Sequence, residues 1–196
     1  MEVNVIITDN FYQDPDSVRE FALSQEFGTT GNYPGNRTES FLDDDLKFHI
    51  NRLVSPHAGE VTNWGGEYTG AFQLTTSADR TWIHSDQTTN WAGVCYLTPN
   101  APHTGGTGLF RHKETGYYKS PTDEYGNLAD YESPEMLPLV NDYQDYTKWD
   151  MVDVVGNVYN RLVLYRGNIF HASLDYFGHD METGRLFQTF FFDTEY

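Results

Sequence analysis

Beyond residue 64 the chain breaks into short aromatic and β-branched runs, each closed by turn residues. Residues 70–76, 91–97, 151–155, 161–165, 170–174 and 185–192 are runs of this kind. Segments of that length and composition point to an all-β sandwich or barrel. The aromatic share of 16%, with 14 Tyr and 13 Phe, agrees, because such side chains pack well on pleated surfaces. The residues ahead of the barrel read differently. Residues 3–8 form a strand and 9–15 a loop. A helix over 15–25 is predicted behind Asp14 or Asp16 as its cap, with Pro15 in the first turn and Val18, Phe21, Ala22 and Phe27 near one face. Residues 28–36, rich in Gly, Pro and Asn, are loop. Apolar spacing over 41–54 suits a second helix.

One segment interrupts the barrel texture. Residues 115–150 hold Asp123, Glu124, Asp130, Glu132, Glu135, Asp142, Asp145 and Asp150, with Pro121, Pro134 and Pro138. They read as an acidic insertion with one helix. Its seven Tyr and Trp residues, among them Tyr131 and Tyr143, are too many for a solvated linker, so they must pack on something. The organisation expected is one domain over 1–196. Its N-terminal strand and helices occupy 1–63, the barrel 64–114 and 151–196, and the insertion 115–150.

Within the barrel, His84 and Asp86 stand two residues apart in Thr81-Trp82-Ile83-His84-Ser85-Asp86. On an extended backbone, residues i and i+2 point to one face. An imidazole nitrogen and a carboxylate oxygen then reach toward one point. His171, which follows the run 161–165 and a turn-like Arg166-Gly167-Asn168, is the best third ligand. Two His and one carboxylate leave the opposite face of a metal open, the arrangement of the facial triad of non-haem Fe(II) oxygenases. A lone His-x-Asp is a weak signal in a chain with 7 His and 29 acidic residues. Its order relative to Tyr96, the Gly-rich stretch 105–108, His171 and Arg185 strengthens it.

In that order of motifs, from about Gly70 to Phe192, the chain resembles the Fe(II)/2-oxoglutarate-dependent dioxygenase superfamily, and its prolyl-hydroxylase-like branch in particular. The Asp-Pro-Asp-x-x-Arg-x-x-Ala pattern beginning at Asp14 adds a softer match. The resemblance implies a mainly β fold with flanking helices: a double-stranded β-helix, or cupin-like jelly-roll barrel, with the metal at its mouth. It implies Fe(II) on His84, Asp86 and His171, leaving three coordination positions for 2-oxoglutarate and O2. It places the 2-oxoglutarate anchor on Arg185, with the hydroxyl of Thr189 four residues on, and a further contact on Tyr96. The implied activity is hydroxylation, with 2-oxoglutarate decarboxylation coupled to C–H oxidation. One departure is visible: Arg185 lies 14 residues after His171, a wide gap that makes 175–184 a long hairpin loop.

Bare chemistry agrees with that anchor. A carboxylate at the closed end of a barrel is costly to bury unless paired. A guanidinium can pair with it through two parallel N–H bonds. The competing readings are a cupin-like metalloenzyme without 2-oxoglutarate, against which Arg185-x-x-x-Thr189 argues, and a non-catalytic barrel module, which has no need of all three ligands.

The formal charge of −17 argues against nucleic acid and anionic membranes as partners. The substrate expected is a small molecule or a protein side chain, neutral or basic if the acidic insertion faces the site. Cys95, the only cysteine, excludes an internal disulfide and reads as a buried hydrophobe. No signal-peptide pattern or membrane span is visible, and a reducing cytoplasm is the expected setting. His49, His57, His103, His112 and His179 read as ordinary polar residues, with His103 and His112 of interest because they flank the Gly-rich loop. Gly105 and Gly106 read as turn residues.

Overall fold

The computed structural model describes residues 2–195. Its strands are β1 (Val5–Thr8), β2 (Asn36–Ser40), β3 (Glu60–Trp64), β4 (Ala71–Thr75), β5 (Trp91–Tyr96), β6 (Thr107–His112), β7 (Trp149–Val155), β8 (Leu162–Arg166), β9 (His171–Ser173) and β10 (Arg185–Glu195). The helices are α1 (Pro15–Leu23), α2 (Asp44–Ala58) and the short α3 (Leu137–Asn141). Antiparallel pairing builds a larger sheet in the order β1-β8-β5-β10-β4-β2, with β3 on the far end of β10. A smaller sheet runs β7-β6-β9, and one bridge from His84 to His171 extends it. The two sheets form the jelly roll that the sequence implies.

Side-chain alternation assigns the layers. On β5, Trp91 and Cys95 join Leu97 in the core toward the helices, while Ala92, Val94 and Tyr96 face the barrel interior. On β8, Leu162 and Leu164 take the first side, and Val163 and Tyr165 the second. The last strand repeats the rule: Leu186, Phe190 and Phe192 pack outward, while Phe187 and Phe191 turn inward. The outer core is closed by Phe11 and by Ala22, Ile50, Val54 and Ala58 from α1 and α2. Both helices start at an aspartate cap, Asp14 accepting from Ser17 N at 3.1 Å and Asp43 from Leu46 N at 2.8 Å.

The structure moves several expected boundaries. The first helix ends at Leu23 rather than 25, and the second runs 44–58, not 41–54, carrying Pro56 in its last turn. Strand β2 falls on Asn36-Arg37-Thr38-Glu39-Ser40, which has no apolar alternation to announce it. At the far end of the insertion, Trp149 and Asp150 belong to β7, opposite His112 and Arg111.

The insertion packs against the smaller sheet. Ala129, Met136 and Leu139 form one core with Ile83, Phe110, Trp149 and Phe170. Buried His112 ties it down, bonding Asp142 at 3.0 Å and Thr115 at 3.0 Å. Among the described residues no helix is long and apolar enough to cross a membrane.

Candidate metal centre

His84, Asp86 and His171 come together beside the smaller sheet. One ligand atom from each lies within 4.8 Å of the others. His171 Nε2 stands 3.5 Å from Asp86 Oδ2, and the two imidazole centroids are 4.5 Å apart. The strand expected around His84 is reduced to its single bridge, with His84 N donating to His171 O at 3.0 Å and His171 N to His84 O at 2.8 Å. Two residues on, Asp86 N donates to Gly167 O at 2.7 Å. That approach requires a glycine: a Cβ on Gly167 would stand 2.6 Å from Thr89 O.

Backbone carbonyls orient both rings. His84 Nδ1 faces Trp82 O at 3.1 Å, and His171 Nδ1 faces Ile169 O at 2.8 Å. A carbonyl can only accept, so each Nδ1 carries the proton and each Nε2 keeps a lone pair for a metal. Burial, reinforced by the neighbouring His84, pushes the His171 pKa down to about 4. His171 is therefore neutral at neutral pH and need not lose a proton to coordinate.

The three residues line a cavity of about 1330 Å³ between the sheets. Tyr131 and Tyr143 of the insertion line it too, so the insertion forms part of its wall. Tyr131 Oη donates to Ser85 O at 3.3 Å, between the first two candidate ligands. Burial raises the Tyr131 pKa, and the charge of Asp86 adds to the rise.

Arg185 lies behind the cavity wall and is fully buried. Its Nε donates to Gly105 O at 2.8 Å and its Nη2 to Gly106 O at 3.4 Å. These carbonyls give the Gly-rich loop a role beyond its turn. Among the described residues Nη1 has no hydrogen-bond partner and no carboxylate pairs with the guanidinium. Phe187, Tyr96 and Tyr176 surround it, at 4.3, 5.3 and 5.8 Å from ring centroid to Cζ. Tyr176 comes from the long hairpin loop. A buried cation with an orphaned donor fits a carboxylate: bidentate pairing would satisfy the atom that the fold leaves open.

Tyr96 is beside Arg185, with its hydroxyl in a 2.7 Å bond with Thr107 Oγ1. Thr189 is arranged otherwise. It shares the inward face with Arg185, but its hydroxyl donates to Tyr68 O at 2.6 Å and Ala71 O at 3.2 Å. The structure shows no bond between that hydroxyl and Arg185: four residues of extended strand span roughly 13 Å, and nearby backbone carbonyls take the proton.

Arg37, on β2, is a further cavity residue that carries no motif in the sequence. It is 8% exposed and lines the same cavity as the three candidate ligands. Its Nε donates to Gln73 Oε1 at 2.7 Å, and its Cζ lies 3.8 Å from the Tyr33 ring centroid. The only available signal was an isolated basic residue in a chain with 12 Lys and Arg.

An open-faced His-Asp-His cluster inside a jelly roll defines the class of the site. Residues 1–192 match the family described as "Family of unknown function (DUF6445)", and the chain belongs to it. No curated protein sequence matches the chain. Among solved structures it is similar to HygX from Streptomyces hygroscopicus with nickel and 2-oxoglutarate bound, with a TM-score of 0.59 and 10% identity over 98% of this chain and 84% of that one. It is also similar to the non-haem alpha-ketoglutarate-dependent epimerase SnoN from nogalamycin biosynthesis, with a TM-score of 0.58 and 11% identity over 97% and 78% of the two chains. At these identities the shared property is the fold.

Proposed function

We propose that the chain is a non-haem Fe(II)- and 2-oxoglutarate-dependent oxygenase, acting as a hydroxylase. The observation that carries this reading is the convergence of His84, Asp86 and His171 within 4.8 Å, at a cavity backed by a buried arginine that has no acid partner among the described residues. His84 and His171 offer Nε2 lone pairs, and Asp86 supplies the one negative protein ligand that Fe(II) needs for partial neutralisation. Arg185 receives the distal carboxylate of 2-oxoglutarate, beside the hydroxyl of Tyr96. Thr189 holds the strand in place through Tyr68 O and Ala71 O. Held by these residues, Fe(II) with 2-oxoglutarate and O2 would supply the oxidising power for a substrate C–H bond, with succinate and CO2 as the co-products.

The other cavity residues have separate tasks. Tyr131 and Tyr143 shape the space above the metal. Phe187 and Tyr176 screen Arg185 from water, which strengthens its pull on a carboxylate. The cupin-like alternative leaves the orphaned Arg185 donor without a use. The test is conversion of 2-oxoglutarate to succinate by purified protein, measured with Fe(II) and O2 supplied or withheld. Turnover that requires both and disappears in Asp86→Ala is expected. Turnover indifferent to Fe(II) would overturn the reading.

A further inference from the structure

We propose that Arg37 is the recognition point for a carboxylate on the substrate, so that the cavity takes an acidic organic molecule. The inference rests on the oxygenase reading, since it uses the same cavity. Arg37 is fixed at its base. Gln73, its partner in the β2–β4 register, accepts from Nε at 2.7 Å and donates from Nε2 to Pro34 O at 2.6 Å. The turn ahead of it is held tightly: Gly35 has φ +71°, and a Cβ there would stand 2.1 Å from Leu74 O. Aromatic rings pack around the guanidinium, with Cζ 3.8 Å from the Tyr33 centroid, 5.0 Å from Tyr68 and 5.9 Å from Phe191.

The free edge remains. Among the described residues neither Nη1 nor Nη2 of Arg37 has a hydrogen-bond partner, and neither is sealed from the cavity. A buried cation is costly unless it is paired. This chain has 29 Asp and Glu against 12 Lys and Arg, yet none of those acids pairs with Arg37. Burial lowers its pKa, while Tyr33 and Asp86 oppose that shift, which puts Arg37 within electrostatic reach of the candidate metal ligands.

Two coplanar donors match a planar carboxylate. Glu67 also lines the cavity and hydrogen-bonds with Tyr68, and its charge disfavours a phosphate dianion. Arg37 is distinct from the proposed co-substrate anchor. Through the register Arg37–Gln73–Phe187, Arg185 lies two strands across and two residues along from Arg37, so their backbones are roughly 12 Å apart. The acidic insertion alone favours a neutral or basic substrate, but a guanidinium in direct contact outweighs charges that face water.

The test uses phenylacetate, its neutral isostere phenylacetamide and the dianion phenylphosphonate, titrated calorimetrically into the full chain. Wild type, Arg37→Gln and Arg37→Lys are compared, with circular dichroism to confirm folding. Phenylacetate should bind wild type and weaken at least tenfold in Arg37→Gln. Arg37→Lys, which keeps the charge without the fork, should fall between and guards against a glutamine variant that does not fold. Phenylacetamide should not distinguish the three proteins. No phenylacetate binding by wild type, equal binding by wild type and both variants, or tighter binding of phenylphosphonate would each overturn the inference. The anaerobic Fe(II)–2-oxoglutarate absorption is recorded in parallel. Its absence from wild type removes the oxygenase reading, while carboxylate binding is still decided by the titration. Its loss in Arg37→Gln alone would assign Arg37 to the co-substrate and overturn the inference.

Discussion

The larger sheet has seven strands, β10 alone holding eleven residues in register with three neighbours, whereas the smaller has three strands and the single His84–His171 bridge. Their backing differs as well. Two capped helices close the larger sheet through Ala22 of α1 and Ile50, Val54 and Ala58 of α2, and an insertion with one five-residue helix closes the smaller through Met136 and Leu139. The two halves also carry different chemistry. The candidate metal ligands sit on or beside the smaller sheet, and both buried arginines sit on the larger. The candidate metal half thus rests on sparse backbone pairing and depends on side-chain packing from the insertion, while the anion half is fixed by strand register.

The largest expected effect breaks one half and spares the other. Alanine at His84, Asp86 or His171 should abolish iron binding after anaerobic reconstitution, and full occupancy in all three variants would end the triad assignment. On the other sheet, Arg185→Ala should weaken 2-oxoglutarate by roughly 2–5 kcal/mol, as when a buried charge loses its partner. Iron content should be retained, and an unchanged 2-oxoglutarate affinity would reject Arg185 as the anchor.

A matched pair of core truncations sharpens the contrast. Leu139 and Ile50 are both fully buried, behind the smaller and larger sheets respectively. Each alanine should lower stability by about 2–5 kcal/mol in denaturant titrations. Only Leu139→Ala should also weaken Fe(II) binding, and equal loosening by both would show that the insertion has no special hold on the site. The smallest effect is expected from Tyr131→Phe. It removes one 3.3 Å bond to Ser85 O, and its influence on stability should be about 1 kcal/mol or less. A drop in iron affinity as large as that of a ligand variant would mean that Tyr131 does more than line the cavity.

Sequence legibility follows the same division. The His84-x-Asp86 pair and His171 were readable because ligand types and a two-residue period are local properties, and the alternation in β5, β8 and β10 reveals both faces of the larger sheet. Arg37 was not readable. Its strand is polar throughout, and its burial comes from Tyr33, Tyr68 and Phe191, which only the fold assembles. Thr189 shows the limit of spacing arguments. Four residues from Arg185 it shares a face, but spacing says nothing of the Tyr68 and Ala71 carbonyls that take its proton. The insertion's acids were obvious, whereas its role as core was hidden in a few apolar positions, Ala129, Met136 and Leu139, scattered among them.

On the proposed function, a metal held beside the smaller sheet and a carboxylate anchored by the larger meet in one cavity. Adding Fe(II) and 2-oxoglutarate without oxygen tests it most directly, by the visible charge-transfer absorption of the chelate. That absorption is expected in wild type, with its loss in His171→Ala at any 2-oxoglutarate concentration and its recovery in Arg185→Ala only at much higher 2-oxoglutarate. No absorption in wild type with iron demonstrably bound would show that metal and 2-oxoglutarate do not meet in this cavity.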